Sequence, residues 1–218
     1  MSPYSSVVID IFGEGRTDVG DDPRPQPPAK GVVPILVHTL CGRPPTMFVK
    51  RHGMPFMQQR GTLRQKVRFA KRQARLGRSA GAAFVVDSEG DLRERLEELN
   101  AGRRMEPGEF PMAVGVAHPC IEAWLLADAN ALRRALELPA NPDVPESPED
   151  LPAPRQDRRN NPKTVLARIA GSRHQDLDAD AKHRIAAAMN DMPLVRQRCP
   201  LGFDPFAGEV EQHLKPLF

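Results

Sequence analysis

Cysteine is scarce in this chain of 218 residues, which contains only three. Cys41, Cys120 and Cys199 are widely spaced, and they form neither a disulfide framework nor a Cys-x-x-Cys zinc motif. Proteins without a disulfide framework are typical of reducing compartments. A cytoplasmic location is therefore expected.

Long hydrophobic runs are missing as well. No window approaches the ~18 consecutive apolar residues that a membrane-spanning helix needs, so no membrane association is expected. The opening residues, Met-Ser-Pro-Tyr-Ser-Ser, lack the basic and apolar regions of a signal peptide. With 40% hydrophobic residues and a mean hydropathy of -0.47, the chain can still bury a core. Its length fits one domain of about 150 residues with a smaller appendage.

A large excess of charge of one sign is also lacking, because 31 Lys and Arg residues stand against 28 Asp and Glu residues. Positive charge is concentrated in residues 60–78, which contain no Asp or Glu. Apolar residues recur there at helical spacing and predict a helix with a basic outer face. A solvated surface is one interpretation of this face. The other is contact with nucleic-acid phosphates. The residues expected to make that contact are Arg64, Arg68, Lys71, Arg72 and Arg75.

The most informative stretch that is present covers residues 82–91, Ala-Ala-Phe-Val-Val-Asp-Ser-Glu-Gly-Asp. Its five apolar residues predict a strand buried on both faces, as in parallel sheets. Asp87 and Glu89 are two apart on a segment expected to be extended, so their side chains should project to the same side. Such like charges repel unless a cation or a proton lies between them. Asp91 is either a third acid of this group or the N-cap of a following helix.

Strands and helices alternate over the first 138 residues. Strands are expected at residues 7–12, 46–50, 82–86 and 110–117, and helices at residues 31–41, 60–78 and 91–100. A strand-to-helix junction at residues 118–128 leads into a short helix that continues to residue 138, and residues 21–30 are expected to form a Pro-rich loop. This alternation predicts an α/β fold over residues 1–138, a three-layer sandwich with a mostly parallel sheet.

The composition changes after residue 138. Residues 139–161 are rich in proline and predict a linker or surface loop. Helices are expected at residues 162–170, 178–189 and 210–214. Residues 162–218 are therefore interpreted as a small helical C-terminal extension beside the α/β domain.

Four carboxylates follow predicted strands. Glu14 follows the first strand, Asp87 and Glu89 follow the third, and Glu122 opens the helix after the fourth. The carboxyl ends of parallel strands meet at one edge of a sheet, so these side chains are expected to converge. Several oxygen ligands of this kind suit Mg²⁺ or Mn²⁺, and two such ions about 4 Å apart would support phosphodiester cleavage.

Each of these candidates has a simpler interpretation. Glu14 can be a solvated turn residue, and Glu122 can merely favour the dipole of its helix. Lys163 can be an ordinary surface lysine, or its ammonium can stabilise charge on a transferred phosphate.

Two sets of sequence motifs resemble those of a known family. Residues 13–18, Gly-Glu-Gly-Arg-Thr-Asp, together with Asp87-Ser-Glu89, resemble the Toprim signature of topoisomerases, bacterial primases and OLD-type nucleases. Residues 118–128, His-Pro-Cys-Ile-Glu-Ala-Trp-Leu-Leu-Ala-Asp, with Asn161-Pro-Lys163, are similar to a group of small stand-alone Toprim-like proteins. Those proteins are associated with bacterial phage-defence ATPases and nucleases.

The resemblance implies a Mg²⁺-dependent nuclease-like fold. Glu14 would be a metal ligand or general acid/base, and Asp87 and Glu89 would hold metal. The Toprim signature has Asp where this chain has Glu89, so Asp91 is an alternative partner of Asp87. The preferred hypothesis is a nuclease or nuclease-related subunit that acts on DNA or RNA. The alternative is a non-catalytic adaptor that binds nucleic acid or a partner ATPase. A phosphohydrolase with Asp87 as nucleophile is a third interpretation, but the matching downstream Ser or Thr and Lys are missing.

Overall fold

The structure, a computed structural model, describes residues 6–15, 18–58, 60–172 and 176–218. This part of the chain contains a five-stranded sheet. Its strands are β1 Val7–Gly13, β2 Asp22–Gln26, β3 Met47–His52, β4 Gly81–Asp87 and β5 Met112–Ala117. Their order across the sheet is β2-β3-β1-β4-β5, and every neighbouring pair is parallel except β2 with β3. The α/β fold with a mostly parallel sheet is thus confirmed.

Ten α-helices accompany the sheet in the described residues. In chain order they are α1 Val32–Leu40, α2 Met54–Met57, α3 Leu63–Leu76, α4 Leu92–Met105, α5 Ile121–Leu126, α6 Ala129–Ala135, α7 Pro162–Ile169, α8 Ala179–Ala188, α9 Met192–Arg198 and α10 Phe203–His213. None of the helices described is both long enough and apolar enough to cross a membrane.

The two faces of the sheet carry separate apolar cores, because strand side chains alternate between faces. On one face, Ile9 and Ile11 of β1 pack in a cluster that includes residues of α1, α5 and α10. On the other face, Phe12 and Phe84 pack in a cluster with residues of α3 and α4. Helices therefore cover both faces, which is consistent with a three-layer α/β arrangement.

The Pro-rich loop expected at residues 21–30 is partly wrong, because β2 lies within it. β2 pairs antiparallel with β3 through Asp22 opposite Arg51 and Gln26 opposite Val49. It is the outermost strand on its side of the sheet. Proline lacks an N–H group, and a strand with only one neighbour tolerates this loss. A high proline content therefore did not exclude a strand in this segment.

The helix expected at residues 91–100 is longer than predicted, since α4 continues to Met105. Gly102 lies inside α4 and is buried against α3. A Cβ atom at Gly102 would lie 2.4 Å from the carbonyl oxygen of Arg64. The glycine therefore allows α3 and α4 to approach closely, a role that depends on tertiary packing rather than on helix capping.

The C-terminal helices share a core with the sheet. Of α9 and α10, only the last turns of α10 were predicted. α10 packs against β5, where a Cβ atom at Gly115 would lie 2.5 Å from Phe206 Cδ2. Glu209 of α10 also accepts a hydrogen bond from the backbone N–H of Val114 at 3.3 Å, and the Met112 carbonyl accepts one from Arg103 at 3.1 Å. Side chains thus satisfy backbone groups on the outer side of β5.

The segment predicted as a linker is anchored to this core. Glu149 lies in a 3-10 turn at Pro148–Asp150 and is buried. Its carboxylate accepts backbone hydrogen bonds from Leu201 at 2.6 Å, Gly202 at 2.8 Å and Phe203 at 3.3 Å. The segment therefore contributes interior residues, although its composition predicts a surface. The division of the chain at residues 138 and 161 stays a prediction.

Candidate metal and phosphate site

The candidate site lies at the carboxyl edge of the three neighbouring strands β1, β4 and β5. Glu14 directly follows β1, and Asp87 is the last residue of β4. The chain leaves β5 and enters α5, whose second residue is Glu122. Parallel pairing places these three strand ends side by side. We call the carboxylates of Glu14, Asp18, Asp87, Glu89 and Glu122 the acidic rim.

Asp87 is the most strongly perturbed member of the acidic rim. Burial raises the pKa of its carboxyl well above the ordinary value, the charges of Asp18 and Glu122 raise it further, and Lys163 opposes them. Oδ1 accepts a hydrogen bond from the backbone N–H of Ile121 at 3.1 Å. The ionised form is therefore crowded by other negative charges, and a cation placed here would favour it.

Glu14 lies close to Asp87. Together with Asp18 they line a cavity of about 10 Å³. That volume is comparable to a single water-sized sphere. Burial raises the pKa of Glu14, Arg95 lowers it, and Glu89 raises it. Asp18 belongs to the Toprim-like motif at residues 13–18 but was not predicted as a site residue, although its position four residues after Glu14 was an available signal. Arg16 and Thr17 of that motif lie outside the described residues.

The expectation that Glu89 projects from an extended segment is wrong. β4 ends at Asp87, and Glu89 has a left-handed backbone with φ of 52°. Its carboxylate pairs with Arg155 at 2.9 Å and with Arg95 at 3.6 Å. Strand alternation therefore does not set its direction. Glu89 and Asp87 nevertheless line a common cavity of about 210 Å³ together with Lys163.

Glu122 forms a buried ion pair. Only 1% of its surface is exposed, and Oε1 lies 2.6 Å from the Lys182 ammonium and 4.0 Å from that of Lys163. Oε2 has no hydrogen-bond partner in the described part of the chain. Burial alone would raise the pKa of Glu122, but the charges of Lys182 and Lys163 outweigh it and lower the pKa. Glu122 therefore stays ionised.

Lys163 connects the acidic rim to a second cavity. It lies in the first turn of α7, where Asn161 caps the helix by accepting a hydrogen bond from Thr164 N–H at 3.2 Å. The charge of Glu122 raises the pKa of Lys163 against the effect of burial. Besides the cavity with Asp87, Lys163 lines one of about 290 Å³ that contains Arg158. Its ammonium is thus a cation at the acidic rim, and its contact with a phosphate stays a prediction.

Lys182 was missed by sequence analysis. It is 1% exposed in α8 and also pairs with Asp176 at 2.8 Å. The available signal was its position three and four residues before Ile185 and Ala186, which are buried on the same helix. A lysine on an apolar helix face requires a buried anionic partner.

Asp91 is exposed and caps α4, accepting a hydrogen bond from Glu94 N–H at 3.3 Å. The structure therefore gives it the capping role considered in sequence analysis. In the described ranges, no group of three or more His, Cys, Asp or Glu side chains is arranged so that it could hold a metal ion. The acidic rim gathers carboxylates without enclosing a preformed coordination site.

The basic face of α3 differs from expectation. Lys71 is buried, and its ammonium donates to the carbonyl oxygens of residues 103, 106 and 108 at 3.2, 2.8 and 3.0 Å. The prediction of Lys71 as a nucleic-acid contact is therefore wrong. Arg68 and Arg75 pair with Glu106 at 3.3 and 3.8 Å, and Arg64 lies 3.9 Å from Glu98. These pairs join α3 to the segment that ends α4.

Arg72 differs from the other predicted phosphate contacts. It is exposed and has no carboxylate partner among the residues that the structure describes. Of the five cations predicted to contact nucleic acid, Arg72 thus offers its charge most directly to a ligand.

Comparison with known proteins returned no matching family model, no matching curated protein and no matching solved structure.

Proposed function

We propose that this protein is a Toprim-like, Mg²⁺- or Mn²⁺-dependent nuclease, or a nuclease-related subunit, that acts on DNA or RNA phosphodiesters. One observation carries the proposal. Glu14, Asp18 and Asp87 line a single small cavity at the carboxyl edge of adjacent parallel strands, and burial raises the pKa of Asp87. A cytoplasmic location and a partner ATPase in bacterial phage defence belong to the same proposal.

The carboxylates fit a divalent cation on electrostatic grounds. Asp87 is surrounded by Asp18, Glu122 and Glu14, all of which raise its pKa. A cation between Glu14 and Asp87 would offset this repulsion, and Asp18 lies at the same cavity. Bound there, the ion would polarise a phosphodiester and neutralise its charge.

The chain itself supplies further groups for the reaction. Burial raises the pKa of Glu14, which suits a group that accepts and returns a proton near neutral pH. Lys163 lines the cavity beside Asp87, where its ammonium could donate a hydrogen bond to a phosphate oxygen. Lys182 fixes the position of Glu122, whose charge keeps Lys163 protonated.

A non-catalytic adaptor is the second candidate, and one observation favours it. Two acids of the rim are already paired with cations of the same chain, Glu89 with Arg155 and Glu122 with Lys182. Such pairs leave fewer carboxylate oxygens for a metal. An adaptor would bind nucleic acid or a partner ATPase and would not cleave.

Metal titration by calorimetry tests the proposal. Wild-type protein is expected to bind Mn²⁺, and Asp87→Asn should weaken binding by at least about tenfold, or about 1.4 kcal/mol. Asp191→Asn is the matched control, because Asp191 is an exposed N-cap of α9 and asparagine caps equally well. Equal Mn²⁺ affinities for wild type and Asp87→Asn would exclude the metal site.

Cleavage assays separate the two candidates. Plasmid DNA, single-stranded DNA and RNA are incubated with each protein and Mn²⁺. A nuclease should cut at least one substrate, and Asp87→Asn should not. Nucleic-acid binding without metal binding or cleavage would identify an adaptor.

A further inference from the structure

An exposed apolar groove runs along α3 on the side away from α4. Phe69 and Leu76 are 44% and 74% exposed, and both lie on the same side of α3. They and Arg72 are three and four residues apart, so they form one stripe of the helix. The groove measures about 610 Å³, and its lining residues are Phe56, Phe69, Arg72, Gln73, Leu76 and Gly77.

The groove is electropositive. None of its lining residues is acidic, and residues 60–78 contain no Asp or Glu. Arg68 and Arg75 lie on the neighbouring stripe of α3 and pair with Glu106. Arg72 instead lines the groove. Docking of a second copy through this surface would bring two basic helices together, which like-charge repulsion opposes. The charge therefore favours an anionic occupant.

Phe56, which lines the groove, packs on β1, the strand that leads to Glu14. The ring of Phe56 lies 4.9 Å from that of Phe12, which precedes Glu14 by two residues. The Lys66 ammonium donates to the carbonyl oxygen of Met57 at 2.5 Å and lowers the pKa of Glu14 by its charge. A polymer bound at the acidic rim could therefore continue over α2 into the groove.

From this geometry we propose that the groove binds single-stranded nucleic acid, with one base stacked on Phe69 and a phosphate held by Arg72. Exposed aromatic rings beside cations are the usual recognition elements for single strands, because unpaired bases offer their faces for stacking. Paired bases of a duplex cannot reach Phe69 in this way. The inference rests on the proposed function only in taking nucleic acid as the ligand, and it narrows the substrate to one with a single-stranded segment.

Fluorescence anisotropy tests the groove in the absence of divalent ions. The probes are a labelled oligodeoxythymidine of about 20 nucleotides, longer than the site of a typical single-strand binding fold, and a duplex of equal length. Phe69→Ala should weaken single-strand binding about tenfold, and Phe69→Trp should retain it. Met105→Ala is the matched control, since Met105 is 42% exposed on α4, and it should change affinity less than twofold or so.

Arg72 is tested by salt dependence. Arg72→Ala should make the negative slope of log affinity against log salt shallower by about 0.7, because one phosphate contact to a single strand is lost. Arg72→Lys should keep the slope. Arg93→Ala removes the same charge from a fully solvated site on α4 and serves as the control.

Three outcomes would overturn the inference. They are equal affinities for Phe69→Ala and Met105→Ala, tighter binding of the duplex than of the single strand, and self-association in solution that Phe69→Ala abolishes. This assay contains no divalent ions, so it measures the groove separately from the metal site. A negative result for the groove would therefore not affect the conclusions from metal titration and cleavage. A negative result for the metal site would likewise not affect the conclusion about the groove.

Discussion

Replacing Lys182 by methionine is expected to destabilise the protein strongly. Lys182 and Glu122 are each 1% exposed, and 2.6 Å separates their charged atoms. Removing one partner of such a buried pair leaves an uncompensated charge, which costs about 3–5 kcal/mol. Lys163, at 4.0 Å from Glu122, compensates only in part. The expected loss for Lys182→Met is therefore about 3 kcal/mol at neutral pH.

Urea unfolding followed by tryptophan fluorescence measures this loss. Trp124, the only tryptophan, is fully buried and stacks on Phe206 at 5.5 Å, so its emission reports unfolding of the same region. A loss of 3 kcal/mol or so should lower the urea midpoint by roughly 1–2 M. Lys163→Met removes the same charge from a partly exposed site and should lose no more than about 1 kcal/mol.

The pH dependence provides a second check. In wild type the lysines lower the pKa of Glu122, so its contribution is present above the unfolded pKa and is lost as pH falls through the folded pKa. In Lys182→Met, burial should instead raise the pKa of Glu122, and protonation would remove the buried charge. The loss of unfolding free energy in Lys182→Met should therefore become smaller as the pH falls from about 8 to about 5. A loss below about 1 kcal/mol, or a deficit that grows toward acid, would refute this reasoning.

Three further substitutions test packing and charge. Gly102→Ala should lower the free energy of unfolding by about 1–3 kcal/mol, because its Cβ would lie 2.4 Å from the carbonyl oxygen of Arg64. Gly208→Ala is the control, because Gly208 lies in α10 with open space around it. It should raise the free energy of unfolding by up to about 1 kcal/mol. Urea unfolding of both variants decides this, and a stabilised Gly102→Ala would contradict the helix contact. Lys71→Met should lose about 2 kcal/mol, since three carbonyl oxygens lose their donor, yet keep single-strand affinity in the anisotropy assay. A loss of affinity without a loss of stability would restore Lys71 as a phosphate contact.

The sheet was largely predictable because its strands follow local rules. β1 is an apolar run interrupted only by Asp10, and β4 is apolar up to Asp87. The β-branched residues of both indicate buried parallel strands. Parallel order then places Glu14 and Asp87 at one edge without any further information. β2 escaped prediction because Pro23 and Pro25 disguise an edge strand whose pairing depends on β3.

The surroundings of the acids were less predictable because they come from distant parts of the chain. Lys182 reaches Glu122 across 60 positions, and Lys71 reaches Glu106 across 35. Helical periodicity assigns a side chain to a face, but it does not state what packs on that face. Both lysines were thus recognisable as residues of their helices but not as buried donors.

The outer side of β5 has a consequence for the behaviour of concentrated protein. Open strand borders act as templates on which other molecules add strands and grow into aggregates. Here Glu209 and Arg103 occupy backbone groups of β5, and at the opposite border Pro23 and Pro25 of β2 offer no N–H. Both borders thus offer fewer free backbone groups to an added strand. Removal of α10 would uncover backbone groups of β5 and is expected to favour aggregation by strand addition.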